Sequence, residues 1–325
     1  LAHTRHVFGS ACAEVAERSP AVPGLQTLSL FGVAGSDASA LERLRDELRG
    51  PALALGVDCA LTRGKMAERG PRLIVSDVDS TFIRGEAIDM LADAAGSGPR
   101  VAAITEAAMN GELDFAEALA ERVATLEGLS LDRVKSIADR IEPVPGAETL
   151  VATAHARGCA VGLVSGGFIE VIGGLARRLG VDCVLANRLE TSGGALTGRT
   201  EGEIVTRERK AEALLRWSEG GRLPGADMPR GAKFTEGSNW PEVSDSPLEA
   251  RAGGADFRSR GRPSPRERID LSETVAAGDG ANDLSMMEIA GLSVAVCAKP
   301  AVLAAADAAV TRPRLDILAA ILGWD

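Results

Sequence analysis

The five residues Arg72-Leu-Ile-Val-Ser76 form a compact apolar run that ends on Asp77-Val-Asp79. Such a run reads as a central parallel strand buried on both faces. Two carboxylates two residues apart at the exit of a buried strand cost free energy unless something compensates them. A hard cation with oxygen ligands would do so, and magnesium suits this ligand set. One carboxylate could then attack phosphorus, while the other trades protons with a leaving oxygen. The plainer alternative is a solvated turn or helix cap, where Asp and Ser are common.

Around this strand the chain alternates. Residues 86–140 carry periodic Ala, Leu and Ile, and Gly96, Gly98, Gly111 and Gly128 divide them into several short helices. Helix is expected over 146–157, strand over 159–164, helix over 168–179 and strand over 181–186. A hairpin follows over 187–204, turning at Ser192-Gly193-Gly194. Helix returns at 207–217. Strand 274–277, helix 283–290 and strand 293–296 close the series. This order implies a parallel α/β sheet with crossover helices.

Two segments stand apart. Residues 25–33, 39–55 and 57–61 read as strand, helix and strand, so 1–70 is expected to be a small N-terminal β-α-β segment. Residues 218–268 hold only three Ile, Leu or Val residues among many Gly, Pro and Ser. That composition buries too little apolar surface to offset ordering entropy, so a flexible insertion is expected there.

Three further patterns fall where strands end, the edge at which open α/β sheets bind ligands. Ser165-Gly166-Gly167 offers a hydroxyl and loop amides that could hold phosphate oxygens at a helix N-terminus. Lys210 could neutralise a phosphoryl group in flight, although by itself it reads as one more solvated lysine. Gly278-Asp279-Gly280-Ala-Asn282-Asp283 brackets an acid with glycines, a sign of close backbone approach to a ligand. Asp279 and Asp283 could complete a metal shell.

Composition narrows the function classes. The net charge of −10, with no basic block, argues against nucleic acid and against anionic membranes. Five scattered cysteines without CxxC spacing argue against a disulfide framework or zinc site and for reduced thiols in a cytoplasm. No apolar run approaches the roughly 18 residues of a membrane span.

Taken in this order, the four patterns resemble the haloacid-dehalogenase-like phosphatases. Asp79-Ser-Thr81, Glu86-Ala-Ile-Asp89 and Ala108-Met-Asn-Gly-Glu-Leu-Asp-Phe115 resemble their phosphoserine phosphatase branch. The resemblance runs from about residue 72 to the last residue, with 218–268 set aside. It implies a Rossmann-like parallel sheet, an inserted helical cap over about 84–145 and a phosphatase domain over 71–325. The N-terminal segment would be a truncated ligand-sensing module of the ACT type.

The resemblance also implies roles. Asp77 would be the nucleophile and Asp79 the general acid and base. Magnesium would be held by the Asp77 carboxylate, the Asp79 carbonyl and Asp279, with Asp283 as outer partner. Ser165, Gly166 and Lys210 would bind phosphate, with Asn282 close by. Glu86 would pair with a substrate ammonium and Arg122 with its carboxylate, while Met109 and Phe115 would line the closed pocket. The implied reaction is hydrolysis of phosphoserine, the last step of serine biosynthesis, by a chain that could be a homodimer. Another small phosphomonoester, or a non-catalytic binding role, are the alternatives.

Overall fold

The computed structural model describes residues 14–18, 27–31, 38–221 and 268–324. The expected flexible insertion lies outside the described residues, apart from its ends at 218–221 and 268.

Seven strands make the main sheet: β3 (Leu73–Ser76), β4 (Ala160–Phe168), β5 (Cys183–Ser192), β6 (Ala195–Glu201), β7 (Thr274–Gly278), β8 (Leu292–Val296) and β9 (Ala308–Val310). Their order is β6-β5-β4-β3-β7-β8-β9. All neighbours are parallel except the β5-β6 hairpin. The chain passes from β3 to β4 on one side and later reaches β7 on the other. A crevice therefore opens at the C-terminal end of β3, the switch point at which such sheets bind ligands.

The apolar run of β3 explains its central place. Leu73, Ile74 and Val75 are fully buried. Ile74 joins a core with Leu150, Val161 and Val171 on one face. Leu73 and Val75 join Ala213, Leu214 and Trp217 on the other. Helices thus cover both faces, as a parallel sheet requires.

Between β3 and the helix Ala147–Ala156 that leads into β4, the chain forms four short helices: Ala87–Ala95, Gly98–Met109, Phe115–Ala124 and Leu131–Ala138. The third is started by a capping box, with the Glu117 amide donating to Asp114 at 2.8 Å and the Asp114 amide donating back to Glu117 at 3.0 Å. The block leaves and returns through one paired neck. The Arg84 amide donates to the Glu142 carbonyl at 3.2 Å, and the Val144 amide to the Phe82 carbonyl at 2.9 Å. On its far side it leans on the β5-β6 hairpin, where the Leu131 amide donates to Gly194 at 2.9 Å.

The N-terminal β-α-β reading needs correction. β1 (Glu14–Arg18) and β2 (Thr27–Phe31) pair antiparallel with each other, and helix Ala38–Leu55 follows. Residues 57–61, expected as a strand, are irregular. Their polar groups bond to other elements instead of to a strand edge. Asp58 accepts from the Thr311 amide at 2.9 Å, and the Leu61 carbonyl accepts from Arg45 at 2.8 Å. Arg45 also contacts Asp307, joining the N-terminal helix to the turn before β9.

No helix among the described residues is long and apolar enough to cross a membrane. Cys59, Cys159, Cys183 and Cys297 are free thiols.

Candidate active site

Asp77 follows β3 directly, and its amide donates to the Ala277 carbonyl of β7 at 2.8 Å. Sheet pairing thus carries on one residue past the strand and fixes where the carboxylate stands. Lys210, three residues inside helix Arg207–Ser218, reaches the same point from a helix packed on β4. Its Nζ lies 2.7 Å from Asp77 Oδ1 and 2.7 Å from Asp283 Oδ1. All three side chains are buried, so the ammonium is far from an ordinary surface lysine. Burial alone would lower its pKa; the charges of Asp77 and Asp283 outweigh that and raise it.

One ammonium does not balance the acids present. Carboxylate oxygens of Asp77, Asp279 and Asp283 lie within 4.8 Å of one another. Burial, then the negative charge of Asp77, raises the pKa of Asp279 from its ordinary value. The same two causes push Asp283 up to about 7 against the opposing pull of Lys210. Groups strained in this direction favour a cation. Hard oxygen donors at this spacing fit a divalent ion such as magnesium or calcium in type. Asp283 is also tied down locally, accepting from the Gly280 amide at 3.1 Å. A Cβ on Gly278 would stand 2.4 Å from the Asp283 Cγ, so the loop needs glycine there.

Asp79 points elsewhere. Its Oδ1 accepts from the Ala87 amide at 2.7 Å, at the first turn of helix Ala87–Ala95. Its Oδ2 accepts from the Ser165 hydroxyl at 2.8 Å. Its side chain is thus outside the acid cluster, and only its backbone carbonyl is left to serve as the expected metal ligand. Burial first, then the charge of Asp77, raises its pKa, while the two hydrogen bonds oppose the rise.

Ser165-Gly166-Gly167 departs from the expected loop. β4 runs through it to Phe168, with an irregularity in its pairing to β5 between Ser165 and Phe168. The Gly167 amide donates to the Ser165 hydroxyl oxygen at 2.7 Å, and Asn187 Nδ2 donates to the Gly166 carbonyl at 2.7 Å. These side-chain bonds replace the regular ladder across the irregularity. A Cβ on Gly167 would lie 2.6 Å from Asp79 Oδ2, so this strand can approach β3 only as glycine.

The helical block meets the site along one edge. Glu86, the residue before helix Ala87–Ala95, accepts from the Ser80 hydroxyl at 2.8 Å. Burial first, then the charge of Asp79, pushes its carboxyl up to about 7. Arg122 Nε donates to the Ala118 carbonyl at 3.1 Å. Burial lowers its pKa, and the charges of Glu86, Asp89 and Asp79 oppose that, which places the guanidinium within their field. The Phe115 ring stands over Gly166, 3.7 Å from where a Cβ would be.

Asp77, Asp79, Ser165, Gly166, Lys210, Asp279 and Asp283 therefore converge, with Glu86, Arg122 and Phe115 facing them from the helical block. Asn282 is half-buried beside Asp283. Met109 is 74% exposed at the end of its helix and is not brought into this group.

Three residues of the site carried no assigned role in the sequence reading. Thr81 is fully buried, and its hydroxyl donates to Asp279 at 3.1 Å. Ser80 takes a left-handed φ of 58°, uncommon outside glycine, in the turn that aims its hydroxyl at Glu86. Asn187 is 2% exposed and links two segments, its Oδ1 accepting from the Val205 amide at 2.8 Å. Ser80 and Thr81 could have been found from their place directly after the two acids. Asn187 read only as the start of a hairpin, since Asn is common at turns.

Known proteins match on both sides of the 218–268 segment. A family model described as haloacid dehalogenase-like hydrolase matches residues 74–226, and a second of the same description matches 265–316. A phosphoserine phosphatase of Mycobacterium tuberculosis is 42% identical over 267 residues, covering 82% of this chain. The chain spans 54% of that relative's length. A phosphoserine phosphatase of Streptococcus thermophilus is 42% identical over 75% of this chain and 92% of its own. Among solved structures, a phospho-aspartyl intermediate analogue of phosphoserine phosphatase superposes with a TM-score of 0.58 at 34% identity. It covers 77% of this chain and 99% of that one. With these matches over a seven-stranded sheet that gathers four acids and a lysine at one edge, the chain belongs to the haloacid dehalogenase-like hydrolases.

Proposed function

We propose that this chain is a phosphoserine phosphatase that hydrolyses O-phospho-L-serine to L-serine and phosphate through an aspartyl-phosphate on Asp77. The observation that carries the reading is the 2.7 Å contact of Lys210 Nζ with Asp77 Oδ1, beside Asp279 and Asp283. The names of the relatives support the substrate. The reaction is the one that completes serine biosynthesis.

Asp77, the Asp79 carbonyl and Asp279, with Asp283 outside them, would hold Mg2+. When bound, it draws charge from the phosphoryl oxygens. The chain's own groups do the rest. Lys210, Ser165 and the Gly166 region bind the phosphate oxygens, and Asn282 sits close to them. Asp77 attacks phosphorus in line. Asp79 is held in place by the Ala87 amide and Ser165, and its raised pKa suits a general acid. It protonates the departing serine oxygen, then takes a proton from the water that hydrolyses the aspartyl-phosphate.

Residues 84–145 act as the cap. Glu86 receives the substrate ammonium and Arg122 its carboxylate, for which a guanidinium has matching geometry. Phe115 closes over Gly166 and helps exclude water, which strengthens the electrostatic terms inside. Met109 would join the lining only if the block moves inward from its present exposed position.

The test is phosphate release from phosphoserine and a panel of other phosphomonoesters, with and without Mg2+. Turnover of phosphoserine above that of Asp77→Asn supports the reading. A better substrate lacking the amino and carboxylate groups, unaffected by Arg122→Ala, would shift it to another phosphomonoester.

A further inference from the structure

The opposite edge of the sheet carries a second polar cavity of about 760 Å³. It lies where β3, β4 and β7 begin, so Pro71, Gly158 and Leu271 are among its walls. Asp77, Ser165 and Asp279 stand at the other ends of those strands. The cavity is therefore separate from the candidate active site.

Its lining is basic in an acidic chain. Lys65, Arg69, Arg72, Arg157 and Arg268 face Glu219, Asp270 and Glu273. The whole chain carries −10. Five basic groups drawn from four separate segments are not a solvated helix face, since the fold must bring them together. The acids are engaged locally. Lys65 stands 3.5 Å from Asp270 and 3.6 Å from Glu273, and Arg268 stands 2.8 Å from Glu219. Asp270 also accepts from the Ser272 amide and hydroxyl at 3.0 and 2.9 Å. Arg157 lies over the Trp324 ring, its guanidinium carbon 5.9 Å from the centroid, which restrains its plane.

The walls are fixed rather than incidental. The Ile269 amide donates to the Ser218 carbonyl at 2.7 Å, and the Arg72 amide to the Glu273 carbonyl at 2.8 Å. The first of these bonds joins the two ends from which residues 222–267 leave and return. The volume falls in the ordinary range of small-molecule sites. Several guanidinium groups in one cavity suit carboxylate or phosphate groups, which they bind bidentately.

We infer that this cavity is a second ligand site, for a small polyanion bearing two or more carboxylate or phosphate groups. Such a ligand would exchange the local ion pairs for its own and bridge the starts of β3, β4 and β7.

The test is calorimetric titration of the full, metal-free chain with citrate and, separately, pyrophosphate. Binding of at least one probe is expected, weakening as salt is raised. Arg69→Glu and Arg268→Glu, both at exposed positions, are each expected to weaken it at least tenfold. Unchanged melting temperature would show that each variant is folded. Binding of citrate alone assigns carboxylate ligands, and of pyrophosphate alone phosphate ligands. Absence of binding by both probes, or binding undiminished in both folded variants, overturns the inference.

Discussion

Lys210 Nζ and Asp77 Oδ1 stand 2.7 Å apart, and both side chains are buried. The lysine comes from a helix 133 residues further along the chain, so the pair exists only because the sheet is assembled. Removing one partner of a buried pair leaves an uncompensated charge, at a cost of about 3–5 kcal/mol. Lys210→Met should therefore lower both stability and turnover. Arg at this position should not rescue turnover, because its larger planar head does not replace a point charge. Chemical denaturation and phosphate release, measured on both variants, check this.

The Ser165 hydroxyl has two tasks, donating to Asp79 and accepting from Gly167. Ser165→Ala removes both. Turnover should fall roughly 10²-fold, the scale for loss of one positioned donor at a reacting oxygen. Substrate affinity should change less. A comparison of kcat and KM separates these effects.

Glu86 gives a pH signature. Its carboxyl, held up near 7 by burial and by Asp79, is mostly neutral below that value and ionised above it. Only the ionised form attracts a substrate ammonium. KM for phosphoserine should therefore fall as pH rises through about 7. The substrate phosphate also ionises, near pH 6. The Glu86→Gln variant isolates the protein's share, since it should lose the Glu86 component and keep the other.

Metal removal should act on stability as well as activity. Asp279 and Asp283 both keep their protons to higher pH folded than unfolded. The folded state then binds more protons than the unfolded state, so metal-free stability should fall as pH rises from the ordinary carboxylate range through about 7. A cation bound to the ionised acids stabilises the fold by mass action. Added Mg2+ should thus raise the melting temperature most above that range, and Asp279→Ala should abolish the rise. Melting curves with chelator and with Mg2+, at several pH values, test both signs.

The catalytic edge was legible because its chemistry is local. The run ending at Asp77 gave both the strand and the place of its acids, and Gly278-Asp279-Gly280 did the same for β7. What was not legible depends on partners distant in sequence. Residues 57–61 have strand-like composition, yet whether they pair depends on a free edge, and their groups go to Thr311 and Arg45 instead. β9 has only three residues and makes its place by pairing with β8, so no periodicity marks it. Asn187 is a turn residue by type and a buried brace by position. The glycines of the Ser165 segment suggest a loop, where the structure has a strand. Close approach to Asp79 is the reason for Gly167.

The central claim is that Asp77 becomes phosphorylated. The direct measurement is acid quench of the chain during turnover of labelled phosphoserine with Mg2+, followed by peptide mapping. Label on the peptide holding Asp77, released by hydroxylamine and absent from Asp77→Asn, is the expected result. Active enzyme that carries no acyl-phosphate at any quench time, or carries it on another residue, would contradict the account.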